Sequence, residues 1–220
     1  MILDLTHTMN EEMSLYPGTP APAFQPVRKL TRDGFRETQL QLTSHTGTHM
    51  DAPSHLLSSG STLDELPVSQ FCGRAAVVDV SHVGPTISAE FLQAQNGTIR
   101  SADFVLFYTG WEKRWGTPGY LEDGFPVPDA EAARYLVSCG LKGVGTDAVS
   151  IDALADITYT AHRILLQDMV VIESLCLKKL LGRNTVMFYA LPLKYTEADG
   201  APVRAIADLR EIEREEGADA

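Results

Sequence analysis

Two apolar, β-rich runs, residues 74–80 and 102–109, constrain this chain more than any other feature, because neither alternates polar with apolar side chains. A strand that is apolar at successive positions must be covered on both faces, and parallel strands with helices packed over them do this economically. Residues 88–96 between the two runs begin with a capping serine and carry apolar residues at helical spacing, so the three segments read as a βαβ unit. Farther along, residues 129–139 predict a helix that buries Ala132, Ala133, Leu136 and Val137 and stops at Gly140, with a short strand over 141–146. Residues 160–167 predict one or two helical turns, 169–173 a strand, 177–181 a short helix, and 185–191 a strand closed by Pro192. Patterning alone gives an α/β or α+β fold with more strand than helix.

The N-terminal part is less regular. Residues 1–6 alternate and predict a first or edge strand, whereas the proline-rich stretch 17–26 cannot be helical and reads as a loop over the surface or over a site. Residues 35–43 alternate again, with Thr38, Leu40 and Leu42 on one face, and lead directly to His45. Gly143-x-Gly145 lacks the third glycine and the helix of a dinucleotide fingerprint, and reads as a tight strand exit. The last stretch, 211–220, is acidic and poor in apolar residues, a solvated tail or frayed helix, which leaves 1–210 as one domain.

Charge narrows the function classes. With 18 Lys and Arg against 29 Asp and Glu the chain carries a net charge of -11, the wrong sign for a phosphate backbone, so nucleic acid is not expected as a partner. No apolar stretch approaches the roughly 20 residues that span a bilayer, and the N-terminus has no basic leader, so a cytoplasmic protein is expected. Cys72, Cys139 and Cys176 are odd in number and lie outside any C-x-x-C pattern; they read as buried small hydrophobes.

Three of the six histidines fall in one short segment, His45-Thr-Gly-Thr-His49-Met-Asp51-Ala-Pro-Ser-His55. Gly47 weakens a helix there, and Pro53 pushes Ala52 toward extended backbone, so the segment reads as a turn and a short extended piece. On extended backbone His49 and Asp51 project to the same side. Two imidazoles and a carboxylate leave coordination positions open on Zn²⁺ or Mn²⁺, which lowers the pKa of its water from about 15.7 toward roughly 7. His55, four residues after the last ligand candidate, titrates nearest neutral pH and suits proton transfer. Each histidine taken alone is an ordinary polar loop residue; the cluster points to a metal site with an acid/base beside it.

The segment resembles the H-x-G-T-H-x-D-x-P-x-H signature of the cyclase family of metal hydrolases, to which bacterial kynurenine formamidase and isatin hydrolase belong. Supporting matches run along the chain: Asp4-Leu5-Thr6-His7, Tyr16-Pro17-Gly18, residues 145–152, His162 through Glu173, and residues 190–194. The resemblance implies that His45, His49 and Asp51 bind one metal, that Asp51 bridges to a second held by His162 and Glu173, and that His55 is catalytic. It implies one or two Zn²⁺ ions, with Mn²⁺ as an option. It also implies a swivelling β/β/α fold with a mixed, barrel-like sheet, and a homo-oligomer, dimer or tetramer. The implied reaction is hydrolysis of an aryl formamide such as N-formylkynurenine to kynurenine and formate, a step of tryptophan catabolism. A cyclic amide or lactone hydrolase and a non-catalytic metal-binding module are the alternatives. Tyr16 stands where kynurenine formamidases carry a Trp against the substrate ring, and is the candidate substrate-binding residue. Trp111 and Trp115 line an aromatic pocket or serve packing. Asp147 and Asp152 cap a helix or orient a ligand histidine. His7 and His82 read as structural.

Overall fold

The computed structural model of the chain describes residues 1–210. The expected acidic tail, 211–220, lies outside the described residues. In chain order the elements are β1 (Ile2–Asp4), β2 (Ala23–Arg28), α1 (Leu30–Asp33), β3 (Glu37–Gln41), β4 (His49–Asp51), β5 (Cys72–Asp79), β6 (Thr86–Ile87), α2 (Ala89–Gln93), α3 (Asn96–Arg100), β7 (Phe104–Tyr108), β8 (Val127–Pro128), α4 (Ala130–Ser138), β9 (Gly143–Thr146), α5 (Thr160–Leu165), β10 (Val170–Glu173), β11 (Thr185–Pro192) and β12 (Gly200–Asp208).

Strands β12-β11-β5-β7-β9-β10-β4 hydrogen-bond in that order, and β4 returns to β12, closing a seven-stranded ring on which β1 sits as an outer strand of β12. The neighbours β5-β7-β9-β10 are parallel, and the joins through β4, β11 and β12 are antiparallel. This is the mixed, barrel-like sheet that the family resemblance implied. Strand alternation sorts the side chains. Phe104, Leu106 and Tyr108 of β7, Val170 and Ile172 of β10 and Met50 of β4 fill the barrel together with Phe188 and Ala205. Val105, Phe107 and Val171 face outward into a second cluster built with Leu92, Ile99, Ala132, Leu136 and Leu165 from the helices. Both faces of the parallel segment are therefore covered, as its apolar runs require.

Asp129 caps α4 by accepting the Ala132 N–H at 2.7 Å, worth about 1 kcal/mol, and Ser88 caps α2 by accepting from Phe91 N at 3.2 Å. Several expectations are corrected. Gly143 and Gly145 are not a strand exit but the body of β9: a Cβ on them would meet Phe104 Cε1 at 2.9 Å and Leu106 Cδ2 at 2.7 Å, so glycine lets the bulky β7 side chains fill the barrel. The stretch 17–26 is only partly loop, since β2 starts at Ala23 and takes in Pro26, beside a register shift against β3. The 35–43 strand forms as β3, but in a separate β2–β3 hairpin with Leu40 58% exposed, so its alternation builds no core face. The three cysteines are half-buried rather than buried. The longest strand, β12, was not anticipated, because Gly200 and Pro202 argue against a strand. Pro202 is the last β12 residue paired with β4, immediately before the pairing with β11 begins at Val203 on the other edge of the strand.

Candidate active site

The outward, helix-covered face of the barrel carries the site. In β4, Met50 points into the core, so His49 and Asp51 point the other way, and the antiparallel register with β10 sets Glu173 opposite His49. Helix α5 packs over this face and presents His162. Those four side chains form the floor of the site and are nearly inaccessible. His162 Nε2 lies 3.3 Å from Asp51 Oδ2 and 3.1 Å from Glu173 Oε1; His49 Nε2 lies 3.3 Å from Asp51 Oδ1 and 3.5 Å from Glu173 Oε2. The outer nitrogens are already committed. His49 Nδ1 donates to the Gly47 carbonyl at 2.8 Å, in a turn that needs φ +68° at Gly47, and His162 Nδ1 bonds Asp152 Oδ2 at 2.7 Å. Asp152 does what both of its readings proposed, since its carboxylate also accepts the Ala161 and His162 N–H groups at the start of α5.

His45 and His55 make the rim. His45 arrives on the turn before β4 and His55 on the 3₁₀ turn Pro53–His55, which the extended pre-proline backbone of Ala52 introduces. Their rings meet with centroids 4.0 Å apart and planes tilted by 42°; His45 Nδ1 lies 2.6 Å from Asp51 Oδ1, and Nε2 lies 3.1 Å from Asp199 Oδ2. The structure thus brings all five metal candidates and His55 into one cluster. Asp51 is shared by two sets of donor atoms that each fit within 4.8 Å: His45, Asp51 and His55, and His49, Asp51 and Glu173.

Electrostatics follow from this crowding. Burial alone would depress the buried imidazoles, but carboxylates reverse it: Asp51 and Asp199 carry His45 up to about 9, and His49 and His162 are also raised. Burial opposes the charge on Asp51, yet its histidines hold it well below the carboxylate range. His55 goes the other way, lowered by burial against the pull of Asp51, and is neutral at pH 7. Imidazole nitrogens and carboxylate oxygens facing one another, with outer nitrogens satisfied, are the donor chemistry of a divalent cation site.

The cluster opens into a cleft of about 270 Å³ walled by Tyr16, Leu56, Val149 and Tyr159. Tyr16, the candidate substrate-binding residue, lies in the wall of this cleft. Trp111 and Trp115 do not line this cleft; they pack with Tyr120 and Phe125, and Trp115 stacks on His7 at 4.0 Å. Asp147 is structural, accepting from Thr109 N and Gly110 N at 2.7 and 3.0 Å. His82 stands at the surface, 3.9 Å from Asp79.

A family model described as "Putative cyclase" matches residues 3–153, more than half of the chain. The chain belongs to the cyclase family. Among relatives of this cyclase-family chain, the kynurenine formamidase of Salinibacter ruber (strain DSM 13855 / M31) is 33% identical over 215 residues, covering 93% of this chain and 96% of that one. An isatin hydrolase solved with the product analogue thioisatinate matches with a TM-score of 0.85 at 24% identity, covering 94% of this chain and 91% of that one, a likeness of fold. A structure described as a "Potential Metal-Dependent Hydrolase With Cyclase Activity" is 29% identical with a TM-score of 0.77, over 94% and 96% of the two chains. That neighbour and the donor cluster together point to a metal ion in this family member. No helix among the described residues is long and apolar enough to cross a membrane.

Proposed function

We propose that this chain is a divalent-metal-dependent hydrolase of an aryl formamide such as N-formylkynurenine, releasing kynurenine and formate. The observation that carries it is the convergence of His45, His49, His162, Asp51 and Glu173 on one another at the base of a cleft, with a neutral His55 at its rim. The likeness to a kynurenine formamidase over nearly the whole chain supports the substrate class. His45, His49 and Asp51 would hold one ion, and His162 and Glu173, with Asp51 bridging, a second; Zn²⁺ suits this nitrogen and oxygen set and Mn²⁺ is the other choice. When bound, the ion supplies Lewis acidity and makes water acidic enough to attack near neutral pH.

The rest falls to the chain's own groups. His55 takes a proton from the attacking water and delivers it to the departing nitrogen as the C–N bond breaks, so the amine leaves neutral and the formyl carbon leaves as formate. An aniline is a poor leaving group as its anion, so a positioned donor contributes about 10²- to 10⁴-fold. Tyr16 offers the aromatic wall against which the aryl ring lies. Metal counting with anomalous identification of each ion, followed by turnover of aryl formamides, cyclic amides and lactones, tests this. Formamide turnover that disappears on chelation is expected. Metal-replete protein that turns over none of the three classes would leave a binding module, and turnover of cyclic amides alone would move the substrate.

A further inference from the structure

Three imidazoles of the cluster each turn one nitrogen inward and have the other satisfied from behind. His49 uses the Gly47 carbonyl and His162 uses Asp152, both within the cluster's own elements. His45 uses Asp199, 154 residues away, on the loop that enters β12. Asp199 does more than its two counterparts, because the same Oδ2 that sits 3.1 Å from His45 Nε2 also sits 3.9 Å from His55 Nδ1. Ser44 Oγ donates to that oxygen at 3.3 Å, and Tyr195 Oη lies 3.4 Å from the other one while donating to the Gly200 carbonyl at 2.5 Å. The Asp199 carbonyl accepts the Ala52 N–H at 2.9 Å, which ties it to the backbone between Asp51 and His55. Gly200 completes the fit: a Cβ there would meet His45 Cε1 at 2.5 Å and Nε2 at 2.9 Å, so the ring lies directly on this backbone.

We propose that Asp199 is a positioning residue that holds His45 and His55 as a pair, fixing which His45 nitrogen faces the ion and aiming His55 into the cleft. A carboxylate behind a ligand imidazole sets its tautomer and orientation and strengthens it as a donor, and here the same carboxylate reaches the proton-transfer imidazole. Its side chain is 47% exposed, so little core packing depends on it. The proposal rests on the metal-hydrolase reading above, and its test separates the two.

Wild type, Asp199→Asn, Asp199→Ala and Asp199→Glu are compared for Zn²⁺ affinity by chelator competition, for thermal unfolding of the metal-free chain, and for kcat and KM on an aryl formamide. Asp199→Asn is expected to weaken Zn²⁺ by about 10- to 100-fold and to lower kcat with KM unchanged, Asp199→Ala to lose more, and Asp199→Glu to recover part of both. Measured above about pH 9, where His45 is neutral and its charge no longer contributes, the metal-free unfolding temperature is expected to stay near the wild-type value. Unchanged Zn²⁺ affinity and kcat in Asp199→Asn, beside an active wild type, overturns the positioning role, as does a drop in metal-free stability that accounts for the losses. A wild type that neither binds Zn²⁺ nor hydrolyses the formamide sinks the metal-hydrolase reading and the positioning role with it. Should the Asp199 variants not fold, Ser44→Ala removes the hydroxyl that donates to the carboxylate, and a milder loss of the same kind is expected; no loss overturns the proposal.

Discussion

The floor and the rim of the site use the same residue types in opposite surroundings. On the floor, His49, Asp51, His162 and Glu173 are 6%, 1%, 4% and 5% exposed, and their charges answer one another. On the rim, the side chains of His45, His55 and Asp199 are 22%, 31% and 47% exposed. A buried cluster of charges cannot rearrange without leaving one of them unpaired, so the floor is a fixed cradle. The rim keeps contact with solvent and the cleft, where a proton must come and go. His45 joins the two regions, a proposed ion ligand that stands on the rim, and leaves His55 beside it as the group proposed to move the proton.

The most severe break in that comparison comes from Asp51, which touches both regions. Asp51→Ala is expected to lose ion and turnover together and to cost the metal-free chain about 3–5 kcal/mol, because three imidazoles lose their counter-charge. Metal analysis and denaturant unfolding measure both effects; a full metal complement in this variant would place Asp51 outside the cradle. His55→Ala comes next, with the ion retained and kcat down about 10²- to 10⁴-fold. His55 is close enough to Asp51 and His45 to be a third donor. Loss of metal in His55→Ala would therefore merge rim and floor.

Gly200→Ala sharpens the comparison from the rim side. The added methyl displaces His45 while β4 and β10 stay in register, and the expected cost is about 1–3 kcal/mol of stability with weaker ion binding. Smaller still is a pH effect. His45, raised from 6.5 to about 9 in the metal-free chain, must give up its proton on binding an ion. Ion affinity is expected to fall as pH drops below about 9, and calorimetry in buffers of different ionisation enthalpy should register proton release. Metal-free stability runs the other way: the contribution of His45 is full below about 6.5 and is lost as pH rises through about 9. Pulse proteolysis across that range reads it, and a flat profile would mean that the Asp51 and Asp199 contacts do not charge His45.

Residues 35–43 and residues 200–208 show where reading from sequence reaches its end. The first has the alternation of a half-buried strand and forms one, but its five strand residues are all exposed; periodicity tells which side chains share a face, not what that face meets. The second carries the Gly and Pro of a loop and is the strand that closes the barrel, with Gly200–Pro202 paired to β4 on one edge and Val203–Asp208 to β11 on the other. Asp199 was missed for the same reason, an acidic residue in an unremarkable loop with no neighbouring histidine in the chain.

By itself the sequence determined that one short segment gathers two imidazoles and a carboxylate beside a third imidazole, since strand alternation and Pro53 act over a few residues and put His49 and Asp51 on one side. It also determined the parallel core strands, whose apolar runs require cover on both faces. Only the tertiary structure decided that Glu173 stands opposite His49, that α5 lowers His162 onto Asp51 from 111 residues away, and that Asp199 backs His45. Those meetings depend on the register of β4 against β10 and β12. That register is set by how the barrel's side chains fill its interior, a property of the packed whole that no local stretch of chain encodes.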